Sequence, residues 1–133
     1  MDLDFRGKHI LAPMVRVGTL PFRMLAAEYG ADITYGEELI DHKVVKCTRE
    51  VNEALGTVDI VDKTTGEIVF RTCESERERV VCQFGTADAT RALLASQLLS
   101  QKKSLIPILC DVHYEAEGQM YTIFCCLSED KMN

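Results

Sequence analysis

The sequence lacks several features that would assign a protein to a class at once. It contains no tryptophan and only three prolines, and no apolar run approaches the ~20 residues of a membrane span. Positive charge is not in excess, since 15 Lys and Arg stand against 21 Asp and Glu, for a net charge of −6. Composition therefore does not indicate the basic face that nucleic-acid binders use. The start carries no basic region followed by an apolar stretch, so we expect no signal peptide.

What is present is an ordinary globular composition at the size of one domain. The 133 residues are 47% hydrophobic and 27% charged, which makes extensive disorder unexpected. The length suits a single domain and is about half of the ~250 residues of a full (β/α)8 barrel. We expect a soluble cytoplasmic chain with no membrane or DNA partner.

The six cysteines are irregularly spaced, and without a secretory signal we expect reduced thiols rather than disulfides. The one grouping that resembles a metal set is Cys110-x-x-His113 with Cys125-Cys126. Adjacent cysteines are awkward ligands for one tetrahedral ion, so ordinary packed thiols are favoured and no metal is expected. His42 and His113 lack a neighbouring nucleophile in the sequence, which argues against a catalytic Ser-His or Cys-His pair.

The hydrophobic pattern predicts strands alternating with helices. Apolar spacing and turn residues predict strands at 9–14, 31–35 and 79–84, helices at 19–30 and 86–99, and a hairpin of 57–61 with 67–71. The first helix carries its apolar stripe on Phe22, Leu25, Ala26 and Tyr29. This order favours an α/β fold with a parallel sheet covered by helices.

Two further segments have weaker patterns. Residues 39–55 mix charged and apolar residues, and Val44, Val45, Val51 and Leu55 are spaced to form one face of a helix. In residues 74–79 glutamate alternates with arginine, and Ser75-x-x-Glu78 fits a capping box, which predicts a solvated turn or helix start.

Three predicted strand ends carry candidate functional residues, because ligands in parallel α/β folds bind where strands end. Pro13-Met14 can face a flat aromatic ligand or simply end a strand, and Glu37-Glu38 can supply a carboxylate or form a solvated acidic loop. Gln83 follows a buried strand, where its amide needs partners from a ligand or from the protein. No Gly-x-Gly-x-x-Gly and no P-loop is present to bind phosphate.

Four segments, in order along the chain, together resemble the start of a known enzyme family. They are Leu11-Ala12-Pro13-Met14-Val15-Arg16-Val17-Gly18-Thr19-Leu20-Pro21-Phe22-Arg23, Tyr35-Gly36-Glu37-Glu38-Leu39-Ile40, Arg71-Thr72-Cys73-Glu74 and Val80-Val81-Cys82-Gln83-Phe84-Gly85-Thr86. The combination resembles the tRNA-dihydrouridine synthases, most closely the eukaryotic cytoplasmic branch that acts on a D-loop uridine. Asn52-Glu53 and the hairpin before Arg71 also fit that branch. The resemblance covers residues 8–99.

This resemblance implies a flavin-dependent reductase built on a TIM barrel. The family holds FMN at the carboxyl ends of the barrel strands, takes hydride from NADPH or NADH and reduces a uracil of its tRNA partner. By motif, Pro13, Met14, Val15 and Arg16 would form the loop beside the flavin. Glu38 would lie near the ring system, and Gln83 would hydrogen-bond the isoalloxazine edge.

The sequence departs from the family after Leu99. The family continues into an Asn-x-Gly-Cys-Pro motif with the catalytic cysteine, whereas Cys110 here follows no such segment, so no catalytic residue is assigned. We therefore interpret residues 1–99 as about three βα units of an incomplete barrel and residues 100–133 as a divergent tail. We expect a truncated form with little or no activity alone. A non-catalytic binding or regulatory fragment and another flavin-dependent barrel oxidoreductase remain alternatives.

Overall fold

The computed structural model describes residues 4–99, 109–116 and 119–125. The strands are β1 (Ile10–Leu11), β2 (Ile33–Tyr35), β3 (Leu39–Ile40), β4 (Cys47–Asn52), β5 (Thr57–Asp62), β6 (Ile68–Cys73), β7 (Val80–Thr86), β8 (Leu109–Ala116) and β9 (Gln119–Cys125). The helices are α1 (Leu20–Glu28), α2 (Asp41–Val44) and α3 (Ala89–Leu99), with a 3-10 turn at Glu74–Glu76.

A mostly parallel sheet organises the described chain. Its strand order is β1-β2-β7-β8-β9, and β3 pairs with the far end of β7. All of these pairings are parallel except that of β8 with β9. The predicted α/β architecture with a parallel sheet is therefore confirmed, and it is consistent with part of a TIM-barrel-like fold.

The first helix begins and ends as predicted, but it buries a different face. Thr19 precedes it with extended backbone, Pro21 lies in its first turn, and Gly30 follows it with φ of +100°. The side chain that α1 buries is Arg23, whereas Leu25 and Tyr29 of the predicted apolar stripe are 49% and 87% exposed. Helical spacing thus predicted the helix but not the side that packs.

The prediction of one helical face within residues 39–55 is wrong. That segment contains β3, the single turn α2 and the six-residue strand β4, and both Val51 and Leu55 are exposed. β4 pairs along its whole length with β5, which pairs in turn with β6. The predicted hairpin of β5 and β6 is thus confirmed. β4 adds a third strand to it, because six consecutive pairings with β5 stabilise the extended conformation more than the ambiguous local pattern favours a helix.

Strand β7 separates two apolar clusters, since successive side chains of a strand point to opposite faces. Val80, Cys82 and Phe84 belong to the larger cluster, together with Ala95 and Leu99 of α3. We call this side the helix face. Val81 belongs to the smaller cluster with Ile33, Tyr35 and Phe5, on what we call the inner face. By alternation, Gln83 and Gly85 follow Val81 on the inner face.

The sheet continues beyond Leu99. Val81–Thr86 of β7 pair in parallel with 109–114 of β8, and β9 lies antiparallel to β8. Both strands lie within residues 100–133, the segment interpreted from the sequence as a divergent tail. Cys126 of the candidate metal grouping lies outside the described residues.

The thiols of Cys47, Cys73 and Cys82 are free, as expected. Burial raises the pKa of Cys82 to about 12, and burial also raises the pKa of Cys47. Within residues 4–99, 109–116 and 119–125, no three His, Cys, Asp or Glu side chains are grouped to hold a metal ion. No helix of this described part is long and apolar enough to cross a bilayer.

Candidate functional site

The loop of residues 12–19 follows β1 and contains four of the predicted site residues. Pro13 is half-buried, whereas Met14 and Val15 are 38% and 72% exposed and Arg16 is exposed with a φ of +63°. Few contacts shape the loop from within. The Val17 amide donates to the Met14 carbonyl at 3.4 Å, and the Thr19 amide donates to the Val17 carbonyl at 2.8 Å.

The end of this loop packs on the carboxyl end of β2. A Cβ placed on Gly18 would lie 2.6 Å from the Glu37 amide nitrogen and 2.9 Å from the Gly36 carbonyl carbon. Gly36 is equally confined, since a Cβ there would lie 2.8 Å from the Phe70 ring of β6. Glycine is therefore needed at both positions for the loop, β2 and β6 to approach one another.

Glu38 and the end of β7 come together on the inner face. A Cβ on Gly85 would lie 2.7 Å from Glu38 Oε1, closer than a carbon and an oxygen can approach. The glutamate side chain is otherwise exposed to solvent. The absence of a side chain at Gly85 therefore lets the Glu38 carboxylate lie across the strand.

Gln83 lies on the same strand, two residues before Gly85. Its side chain is buried, with 4% exposed. The expectation that β7 ends near Gln83 is wrong, because the strand runs to Thr86. Pairing of β7 with β3 at Phe84 and Gly85 and with β8 along Val81–Thr86 prolongs the ladder. Gln83 is thus held by a strand rather than by a loop.

An ion pair buried on both sides joins α1 to the segment after β6. Arg23 donates from Nε to Glu76 Oε1 at 2.7 Å and from Nη2 to Glu76 Oε2 at 2.8 Å. The side chains are 1% and 3% exposed. Thr72 adds a hydroxyl hydrogen bond to Glu76 Oε2 at 2.8 Å. The predicted solvated turn or helix start is thus confirmed for the exposed Glu74, Ser75, Arg77 and Glu78, but Glu76 within it is buried.

The same guanidinium also reaches the backbone of two other segments. Nη1 donates to the Gly18 carbonyl at 2.6 Å, and Nη2 donates to the Arg71 carbonyl at 2.6 Å. The Phe70 ring lies beneath it, with 4.8 Å between the guanidinium carbon and the ring centroid. Arg23 thus connects the loop after β1, strand β6 and the 3-10 turn.

A second charged network fixes the turn after β7. Asp41 of α2 accepts hydrogen bonds from Thr86 Oγ1 at 2.7 Å and from Arg91 Nε at 2.8 Å. Burial opposes ionisation of Asp41, but hydrogen bonds from Arg91, Thr86 and the His42 amide hold its pKa below the usual range. Asp88 Oδ1 accepts a hydrogen bond from the Arg91 amide and so caps the start of α3.

Within the three-stranded sheet β4-β5-β6, Arg71 of β6 pairs with Asp59 of β5. Two hydrogen bonds of 2.7 and 2.5 Å join the guanidinium to the carboxylate. The hydrogen bond from Arg71, joined by that from Thr57, lowers the pKa of Asp59. The pair fixes the strand whose carbonyl binds Arg23.

Sequence reasoning missed most of these supporting residues. Arg23 and Glu76 are 53 positions apart, and neither stands in a pattern that distinguishes a buried charge from a solvated one. Asp41 and Arg91 are 50 positions apart. The one usable signal was the position of Arg23 and Gly18 inside the first recognised motif.

The fold and the site define a class: a parallel α/β protein with polar groups gathered toward the carboxyl ends of its strands. The chain is 34% identical over 81% of its length to a tRNA-dihydrouridine(20) synthase [NAD(P)+] of Schizosaccharomyces pombe. It is 36% identical over 89% of its length to the Saccharomyces cerevisiae protein of that name. The chain belongs, as a partial and N-terminal match, to the tRNA-dihydrouridine synthase family.

The extent of these matches is informative. They cover 23% and 33% of the two relatives, so the chain spans about a quarter to a third of their length. A shorter match, 54% identical over 35 residues, links 26% of the chain to 5% of a human tRNA-dihydrouridine(47) synthase [NAD(P)(+)]-like protein. No family model matches the chain.

The two longer matches also extend beyond the recognised motifs. Residues 1–99 form about three quarters of the chain, and the matches cover 81% and 89% of it. Part of the segment after Leu99 is therefore included in both. The division of the chain at that residue stays a prediction.

Proposed function

We propose that this chain forms the flavin-ring side of an FMN-dependent tRNA-dihydrouridine synthase, within a TIM barrel. The reaction would reduce a D-loop uridine of tRNA with NADPH or NADH. The observation that carries the proposal is the placement of Gln83, Gly85 and Glu38 together on the inner face of β7. In barrel enzymes this end of the strands carries the active site.

The residues present fit a flavin ring. The edge of the isoalloxazine ring offers both hydrogen-bond donors and acceptors, and the Gln83 amide supplies both kinds of partner from a rigid strand. Gly85 has no side chain on this face, and the Glu38 carboxylate lies over it, so the ring would meet a carboxylate as well as the Gln83 amide. The exposed loop of Pro13, Met14, Val15 and Arg16 lies two strand positions away, with its end seated on β2.

Each residue would have a distinct task. Gln83 would orient the ring through its amide, and Glu38 would place a carboxylate at the rim of the site. Met14 and Val15 would cover the ring and exclude water, with Arg16 at the edge of the loop. When bound, FMN would supply the hydride carrier between the nicotinamide and the uracil.

The Cys82 thiol, which lies in the recognised motif of β7, is unsuited to protonate the substrate. Cys82 lies on the helix face of β7, is buried and has a pKa of about 12, so it lies on the wrong side of the sheet. The chain also contains no Asn-x-Gly-Cys-Pro segment. We therefore propose little or no synthase activity for this chain alone, and dihydrouridine formed in tRNA by the purified chain with FMN and NADPH would contradict this.

Flavin titration of the purified chain tests the site itself. We expect flavin absorbance in a one-to-one complex and quenched flavin fluorescence. Riboflavin should bind about as tightly as FMN, because the proposed contacts are to the ring. Gln83→Leu should weaken binding about tenfold, as expected for the loss of one or two hydrogen bonds.

The matched control is Gln97→Leu on the exposed side of α3, which should leave flavin affinity unchanged. A wild-type chain that binds neither flavin would contradict the proposed function. Equal affinities of the wild type and Gln83→Leu would contradict the role of Gln83.

A further inference from the structure

We propose that Arg23 is a positioning residue that sets the shape of loop 12–19 by holding the carbonyl of Gly18. Only one part of the inference rests on the proposed function, namely that the loop contacts the flavin. The structural part concerns the loop itself and is independent of any ligand.

The loop depends on an outside anchor because its own bonds are few: within residues 12–19, one longer bond accompanies the 2.8 Å bond from the Thr19 amide to the Val17 carbonyl. The hydrogen bond from Val17 to the Met14 carbonyl is 3.4 Å long, beyond the usual range for a backbone pair. Arg16 adopts φ of +63°, a conformation unfavourable for a residue with a Cβ. Both features favour a loop that is held from outside, and the 2.6 Å bond from Arg23 to the Gly18 carbonyl provides such a fixed point.

Arginine is specifically suited to this position. Its planar fork donates to Glu76, Gly18 and Arg71 at the same time, in directions set by one rigid group. A lysine carries its charge on one nitrogen, whereas the guanidinium has three separated nitrogens. Lysine can therefore keep the attraction to Glu76 but cannot make all three contacts at once. Arg23→Lys should therefore preserve the buried charge pair while releasing the loop.

Burial makes the anchor rigid. Glu76 is held by Thr72 as well as by Arg23, and the guanidinium lies on the Phe70 ring. The donor to Gly18 thus has little freedom to move. Gly18 in turn lies against the Glu37 amide, so the position of the loop relative to β2 follows from the same contact.

Hydrogen exchange measured by NMR tests this role. The reporters are the amides of Val17 and Thr19, which donate the two hydrogen bonds inside the loop, and the reference is the Gly36 amide, bonded to Val81 at 3.0 Å. In Arg23→Lys we expect both loop amides to exchange about tenfold faster, the change for one net hydrogen bond. The Gly36 amide should exchange at the wild-type rate.

The matched control is Arg77→Lys, the same substitution in an exposed pair with Glu74 on the neighbouring turn. It should leave the loop amides unchanged. If Arg23→Lys does not fold, the double variant Arg23→Met with Glu76→Leu removes both buried charges together and should show the same loop release. Loop exchange at the wild-type rate in a folded variant would overturn the inference, as would uniform acceleration of all three amides.

Riboflavin affinity separates this inference from the proposed function. If the wild-type chain binds riboflavin, Arg23→Lys should weaken binding about tenfold with the fold intact. Faster loop exchange with unchanged affinity would overturn the positioning role in flavin binding. If the wild type binds no flavin, the proposed function fails, whereas the exchange of Val17 and Thr19 still decides whether Arg23 shapes the loop.

Discussion

Two ion-pair networks support the carboxyl end of the sheet, and they differ mainly in burial. In the network of Arg23 and Glu76 the side chains are 1% and 3% exposed. In the network of Arg91 and Asp41 the carboxylate is 4% exposed, but the guanidinium is 31% exposed. Both join elements about fifty residues apart in sequence. The chemistry is the same, so the difference shows how solvent access sets the cost of losing a partner.

The physical basis is desolvation. A charge that loses its partner inside the protein keeps its desolvation cost without compensation, whereas a partner near the surface is replaced in part by water. Removing either Arg23 or Glu76 alone should therefore lower the free energy of unfolding strongly. Removing one partner from the Asp41 network should lower it less, because water reaches the group that remains.

Arg23→Met should have the largest effect. It leaves Glu76 buried with only the Thr72 hydroxyl, and we expect the free energy of unfolding to fall by about 3–5 kcal/mol. Urea unfolding followed by circular dichroism measures this. Adding Glu76→Leu should recover more than half of the loss, because an apolar pair is tolerated where a lone charge is not. An Arg23→Met variant as stable as the wild type would show that burial does not raise the cost of losing a partner.

Asp41→Asn should have an intermediate effect. The change weakens the hydrogen bonds with Thr86 and Arg91 but leaves Arg91 partly solvated, so we expect a loss of about 1–3 kcal/mol at neutral pH. Urea unfolding at pH 7 gives the value. A loss as large as that of Arg23→Met would contradict the importance of solvent access.

The pH dependence of the Asp41 effect has a definite sign. Because the folded-state pKa of Asp41 is lowered, its ionised form stabilises the fold above the unfolded-state pKa of about 4. The difference in unfolding free energy between the wild type and Asp41→Asn should be constant above about pH 5. It should shrink as pH falls below 4 through the folded-state pKa, and a difference that grew with acid would refute the assignment.

Arg77→Gln should have the smallest effect. Its partner Glu74 is 60% exposed and three residues away, so solvent screens the pair and the melting temperature should stay at the wild-type value. A clear decrease would mean that the 3-10 turn itself, rather than the buried Glu76 within it, supports the loop.

The order of the elements was largely predictable from the sequence. Gly30, Gly66 and Asp88 act as the helix end, hairpin turn and helix cap that their positions predict. Residues 39–55 were not predictable, because Val44 and Val51 suit a helix face as well as a strand. Pairing with β5, a segment later in the chain, decided between them.

The candidate site was predictable in part. Gln83 and Glu38 could be selected from strand ends and from motifs, and the structure places Gln83 within β7 and the Glu38 carboxylate beside Gly85 of that strand. Their relation through Gly85 could not be foreseen, since it depends on the register of β3 against β7. The loop residues Pro13 to Arg16 were selected without any indication that Arg23 fixes them.

The sequence by itself determined the alternation of strands and helices and the family to which the chain belongs. Both follow from local spacing and from short motifs whose residues are neighbours along the chain. Only the tertiary structure decided which charges are buried, because burial depends on segments such as α1 and the turn at Glu76 that meet from distant positions. It also decided that Gly18 and Gly36 must lack side chains, because a Cβ there would collide with the Glu37 backbone and with the buried Phe70 ring.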